Sequence, residues 1–174
     1  MALASNLRAM PIQQPVVPQS PLADHARVAP GYAIVLAILS ALFAARVAAQ
    51  AMQRWLPLPF LPPSGAFQGS ALPYAILLPA QIAILAAMLA IAWRVHIGMF
   101  LPRPHVSRRL TVAGGVYVAT MLTRLTVGLT VPDAPSWFRS EISTVFHFVL
   151  AIVVLVLAAF HRQLPRQTME REAS

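Results

Sequence analysis

The sequence predicts an all-α membrane protein: four transmembrane helices in an up-down bundle, with both termini on the cytoplasmic side. Three observations carry this. Of 174 residues, 58% are hydrophobic and only 10% charged, where a soluble domain has about 25% charged; the mean hydropathy is +0.68. The apolar residues gather into four runs, each near the roughly 20 residues that a helix needs to cross a bilayer core. The arginines gather between alternate runs. A molecule as apolar outside as inside has lipid for its solvent.

Residues 1–30 carry Pro11, Pro15, Pro18, Pro21 and Pro30, which disfavour a helix and predict a disordered cytoplasmic tail. A signal peptide does not fit, because the apolar run starts late and no small-residue cleavage site follows it. Helix 1 is expected over 31–54, although it contains Arg46, Gln50 and Gln53. A Pro/Gly loop with interfacial aromatics follows over 55–70. Helix 2 is expected over 72–95, kinked at Pro79. A short basic loop leads to helix 3 over 110–131. Helix 4, over 142–160, contains no charge; residues 162–174 form a second cytoplasmic tail. The transmembrane domain thus covers 31–161.

Orientation follows from the arginines. With the N-terminus inside, inner segments carry Arg8, Arg27, Arg94, Arg103, Arg108, Arg109, Arg162, Arg166 and Arg171, and outer loops only Arg54 and Arg139. Alanines at four-residue spacing (Ala37, Ala41, Ala45 and Ala49 on helix 1; Ala83 and Ala87, Ala86 and Ala90 on helix 2) would allow close helix approach in lipid.

Composition excludes several classes. The absence of cysteine removes disulfide chemistry and thiolate metal sites. The thirteen basic residues are all arginine, as the codon bias of a GC-rich genome would give, which points to a bacterial inner membrane. They are spread along an apolar chain, make no basic face, and do not suggest nucleic acid. There is no membrane-embedded glutamate for proton-coupled cation export, no HExxH, no phosphate-cradling glycine loop and no acidic metal cluster. Ser143 lies near His147, but no glycine-rich oxyanion turn accompanies it. No pattern points to an enzyme.

Two arginines, Arg46 and Arg124, fall inside the spans, where ionisable groups are costly and call for an explanation, and Gln81 and His147 lie at a similar depth. At 1.5 Å per residue, Arg46 lies roughly 12 Å from the outer helix end, Gln81 roughly 14 Å, Arg124 roughly 10 Å and His147 roughly 8 Å. Each helix contributes one group to this layer, with Thr120, Ser143, Thr144 and Glu141 in support. Two readings stay open. In the first the layer is an inter-helix clamp, with Glu141 folded inward to Arg124 and Arg46 snorkelling outward. In the second a ligand supplies the missing electron-rich group: a lipid phosphate, a quinone carbonyl or a small anion gripped by the planar arginine fork.

His147 and His161 are fourteen residues apart on helix 4, nearly on one face and roughly 21 Å apart along the axis. This spacing resembles the two ligands that diheme b-type cytochromes place on one helix; the resemblance implies haem, with His96 facing His161 and His105 in reserve. The functional expectations are therefore a binder of an anionic or lipid-like ligand, or an accessory subunit; a haem- or quinone-binding redox subunit; or an anion transporter, which would need an oligomer. The expected partners are the lipid bilayer and other membrane subunits or further copies of the chain.

Overall fold

The computed structural model describes residues 21–67, 72–135 and 138–172, with backbone alone at 21–28, 64–65 and 164–172. The chain forms helices α1 (Pro21–Trp55), α2 (Ser64–Phe67), α3 (Tyr74–His96), α4 (Pro104–Thr130) and α5 (Glu141–Glu172). Four segments are long and apolar enough to span a bilayer: Ala29–Trp55, Tyr74–His96, Pro104–Thr130 and Glu141–Gln163. Successive spans run in opposite directions, so the ends of α1 and α4 meet the starts of α3 and α5 at one end of the molecule, here the α2 end.

The first helix starts earlier than expected. Residues 21–30, placed in the disordered tail, are helical, and Pro30 sits inside α1; residues 1–20 of that tail lie outside the described residues. Two physical facts reconcile this with the proline. The stretch from Leu22 to Arg27 is rich in good helix formers. Pro30 lies at the very start of the apolar span, where the carbonyl it leaves unbonded is close to water. At the other terminus α5 continues through Pro165 to Glu172, beyond the expected helix end.

The end of α3 has a clear local cause. Gly98 has a φ of 71°, the left-handed conformation that glycine adopts without a steric cost. Its N–H bonds the carbonyl of Val95 at 3.2 Å, and the Met99 N–H bonds that of Arg94 at 3.0 Å. These bonds make a Schellman cap. Pro104 opens α4, where its missing N–H costs nothing.

The helices do not form a closed bundle. α1 packs on α3 and on α5, and α5 packs on α4, while α3 and α4 do not meet among the described residues. The order across the molecule is therefore α3, α1, α5, α4. Leu36, Phe43 and Val47 of α1, Met88 and Val95 of α3, and Phe160 of α5 build the main core. Lipid tails are as apolar as leucine, so close packing and hydrogen bonds hold this arrangement together.

The α4–α5 seam shows how. Its α4 side is Ser107, Gly114, Met121 and Arg124, all buried, with Gly128 on the same stripe; this is a seven-residue repeat. A Cβ on Gly114 would stand 2.6 Å from Leu155 Cδ2, and one on Gly128 would strike the carbonyl of Phe138. α5 and its leading loop pass close at both points, against side-chain atoms at Gly114 and against backbone at Gly128. At the far end Ser107 Oγ donates to the Ala158 carbonyl at 2.8 Å, and Arg162 donates to Thr111 Oγ1 at 3.1 Å.

Candidate functional site

The expected polar layer lies near the α2 end. Arg46 is nine residues before the end of α1, Gln81 seven after the start of α3, His147 six after the start of α5 and Arg124 six before the end of α4. At 1.5 Å per residue these offsets give depths of about 9–14 Å.

Arg46 anchors the α1 side. Its neighbour one turn on, Gln50, presents Oε1 to Arg46 Nη1 at 2.7 Å. The same oxygen accepts from Gln81 Nε2 of α3 at 3.1 Å. Arg46 Nη2 donates to the backbone carbonyl of Phe67 in α2 at 3.0 Å, and its guanidinium lies 5.8 Å from the centre of the Phe146 ring. Arg46 is only 7% exposed and Gln81 6%. Outward snorkelling, the expectation of the clamp reading, is not what Arg46 does. Its donors find a glutamine oxygen and a main-chain carbonyl within the protein, and among the described residues it meets no carboxylate.

Arg46, Gln81, Ser143 and His147 share the wall of a cavity of about 200 Å³, whose apolar lining includes Phe43, Phe67 and Leu150. Helices α1, α3 and α5 form it, and α2 covers its end. Pockets for drug-sized molecules run to about 300–1,000 Å³, whereas about 150 Å³ holds a benzene ring. The space thus suits a headgroup or a single ring, and a haem macrocycle is too large for it.

Three buried polar atoms here have no hydrogen-bond partner: Arg46 Nε, Gln81 Oε1 and Tyr74 Oη. Such atoms are uncommon in folded proteins, because each forfeits its interaction with water. Tyr74 lies near enough to Arg46 to act on it electrostatically, and its ring meets Trp55 edge-on at 5.8 Å.

His147 stands between this cavity and the α4–α5 seam. Its Nδ1 lies 2.7 Å from Tyr117 Oη on α4. Tyr117 belongs to α4, as does Arg124, whereas Arg46 belongs to α1. Arg124 does not line the cavity; it is buried in the seam beside Tyr117. The layer is therefore two linked groups that meet at His147.

The supporting residues divide. Ser143 lines the cavity, and Thr144, fully buried, donates to the Ser140 carbonyl at 3.0 Å. Thr120 stays outside: it is exposed and bonds the Val116 carbonyl of its own helix at 2.9 Å. Glu141 remains exposed in the first turn of α5, where the helix dipole favours its charge, and does not fold inward over Arg124.

His96 and His161 are not brought together. His161 Nδ1 accepts the Arg103 N–H at 3.0 Å, and the ring rests against Phe100 and Phe160. His96 instead lines a shallow groove between α1 and α3 with Trp93. No group of three or more metal-ligating side chains occurs among the described residues.

Sequence reasoning missed Gln50 and Tyr117. Both carried a signal: Gln50 is at i+4 from Arg46, and Tyr117 is two turns before Arg124, within about 20° of the same face.

Fold and site together define a small multi-pass membrane protein with a mainly apolar cavity at one end that includes Arg46, Gln81, Ser143 and His147 in its wall. No protein-family model, curated protein or solved structure matches the chain.

Proposed function

We infer that the protein binds an anionic, lipid-like ligand, with the ligand's headgroup in the cavity between α1, α3 and α5 and its tails in the bilayer. One observation carries the reading: Arg46, buried and without a carboxylate, forms part of the cavity wall. A buried cation without a counter-ion is costly, and a phosphate in the cavity would remove that cost through the guanidinium fork. The cavity's size supports a headgroup rather than a whole lipid. The two cavity walls α3 and α5 make no contact with each other among the described residues, which supports entry from the side.

In this reading the protein is a binding or accessory component of a bacterial cytoplasmic membrane, without evident enzymatic activity. The arginine bias favours both termini inside and, with that orientation, a cavity in the outer half of the bilayer. A quinone head is the second reading. The Tyr117–His147 pair favours it, because a tyrosine hydroxyl donating to Nδ1 leaves Nε2–H to bond a carbonyl.

Native mass spectrometry from a mild detergent tests both readings. The wild type should retain an added mass equal to an anionic phospholipid, and Arg46→Leu, with unchanged helical circular dichroism, should lose it. A retained quinone mass would replace the first reading with the second. A bare wild-type protein would overturn both.

A further inference from the structure

The Arg46–Gln50–Gln81 chain fixes more than a charge, because its polarity can run only one way. A guanidinium has donors and no acceptor. The Gln50 atom 2.7 Å from Arg46 Nη1 must therefore be its oxygen. That oxygen also faces the Gln81 amide at 3.1 Å, so Gln81 must present its nitrogen. The Gln81 oxygen is then left over, and it has no partner. Flipping either amide would set two donors or two acceptors against each other, so Arg46 dictates the orientation of a side chain on another helix.

Two residues of the cavity wall thus carry complementary groups, a cationic donor on Arg46 and, on Gln81, a neutral acceptor that is buried and has no partner. An anion alone satisfies only the first. We propose that the site selects a phosphodiester headgroup that carries its own hydrogen-bond donor, a hydroxyl, beside the phosphate. Arg46 holds the phosphate and Gln81 Oε1 accepts from the hydroxyl. This inference rests on the anionic-lipid reading above and adds the headgroup class. Ammonium headgroups also donate, but a zwitterion brings a second cation close to Arg46 and is disfavoured there.

The test compares two lipids of equal charge that differ in the donor. Phosphatidylglycerol carries headgroup hydroxyls; phosphatidylmethanol is the same phosphodiester without them. Each is titrated in mixed micelles against the full-length protein, with binding read by native mass spectrometry. Phosphatidylglycerol should bind about tenfold more tightly, the typical consequence of leaving one buried acceptor unpaired. Gln81→Met should bind both lipids alike, and Arg46→Leu neither. Equal binding of the two lipids by the wild type overturns the hydroxyl inference and leaves the anionic-lipid reading standing. Binding of neither overturns both. Displacement of phosphatidylglycerol by an equal concentration of water-soluble glycerophosphoglycerol, its deacylated phosphodiester, keeps the headgroup chemistry and overturns the lipid as its source. The wild-type comparison decides the matter even if a variant fails to fold.

Discussion

Tyr117 and His147 are joined by a 2.7 Å hydrogen bond that ties α4 to α5 at the depth of the buried arginines. It links the cavity to the α4–α5 seam, since His147 lines the cavity and Tyr117 belongs to α4. Tyr117→Phe keeps the ring and removes the hydroxyl. It should lower stability by about 1–2 kcal/mol, the cost of a lost buried hydrogen bond, read as the midpoint of thermal unfolding in detergent. An unchanged midpoint would show that the bond carries no net stability.

Gln50 serves two donors with one oxygen. Gln50→Leu strands both, whereas Gln81→Met removes one of them and leaves Arg46 held. The first change should cost about 2–4 kcal/mol and the second about 1 kcal/mol. A double-mutant cycle should give clear coupling between the two sites; strict additivity would mean that the three residues do not act as a unit.

The two seam glycines should differ in their tolerance. A methyl at Gly114 meets the end of the Leu155 side chain, which can turn aside, whereas at Gly128 it meets the backbone of Phe138 and Arg139. Gly114→Ala should cost about 1 kcal/mol, and Gly128→Ala more, toward the upper part of the roughly 1–3 kcal/mol range for overpacking. Melting curves of the two variants side by side give the order, and the reverse order would contradict the close approach at Gly128.

Because the chain has no cysteine, a single introduced thiol reports its own side of the membrane. Phe60 and Met99 are highly exposed in loops at opposite ends. With both termini inside, Phe60→Cys in intact cells should react with a membrane-impermeant maleimide, and Met99→Cys should react only after lysis. The opposite pattern would invert the orientation and move the cavity to the inner half of the bilayer.

The four spans were legible in the sequence because length and hydropathy alone define them. Their neighbours were not. Each helix is apolar nearly all round, so the sequence does not separate a face that meets lipid from one that meets another helix, and the gap between α3 and α4 leaves no trace in the pattern. The depth of the polar layer was readable from helical rise; its division was not, because whether Arg124 faces α1 or α5 depends on helix rotation. Thr120 shows the limit of spacing arguments. It lies four residues before Arg124, a 40° turn from the same line, and that turn is enough to put it among the lipid tails. Pro30 misled in the other direction, since a proline in a helix costs less where the carbonyl it orphans can reach water.

The bond from Arg46 to α2 ends on the main-chain carbonyl of Phe67 and not on its side chain. Every amino acid brings that oxygen, proline included. Replacements at position 67 would therefore alter the buried cavity lining without untying the cover from the arginine, and a scan of side chains there would leave this tether unseen.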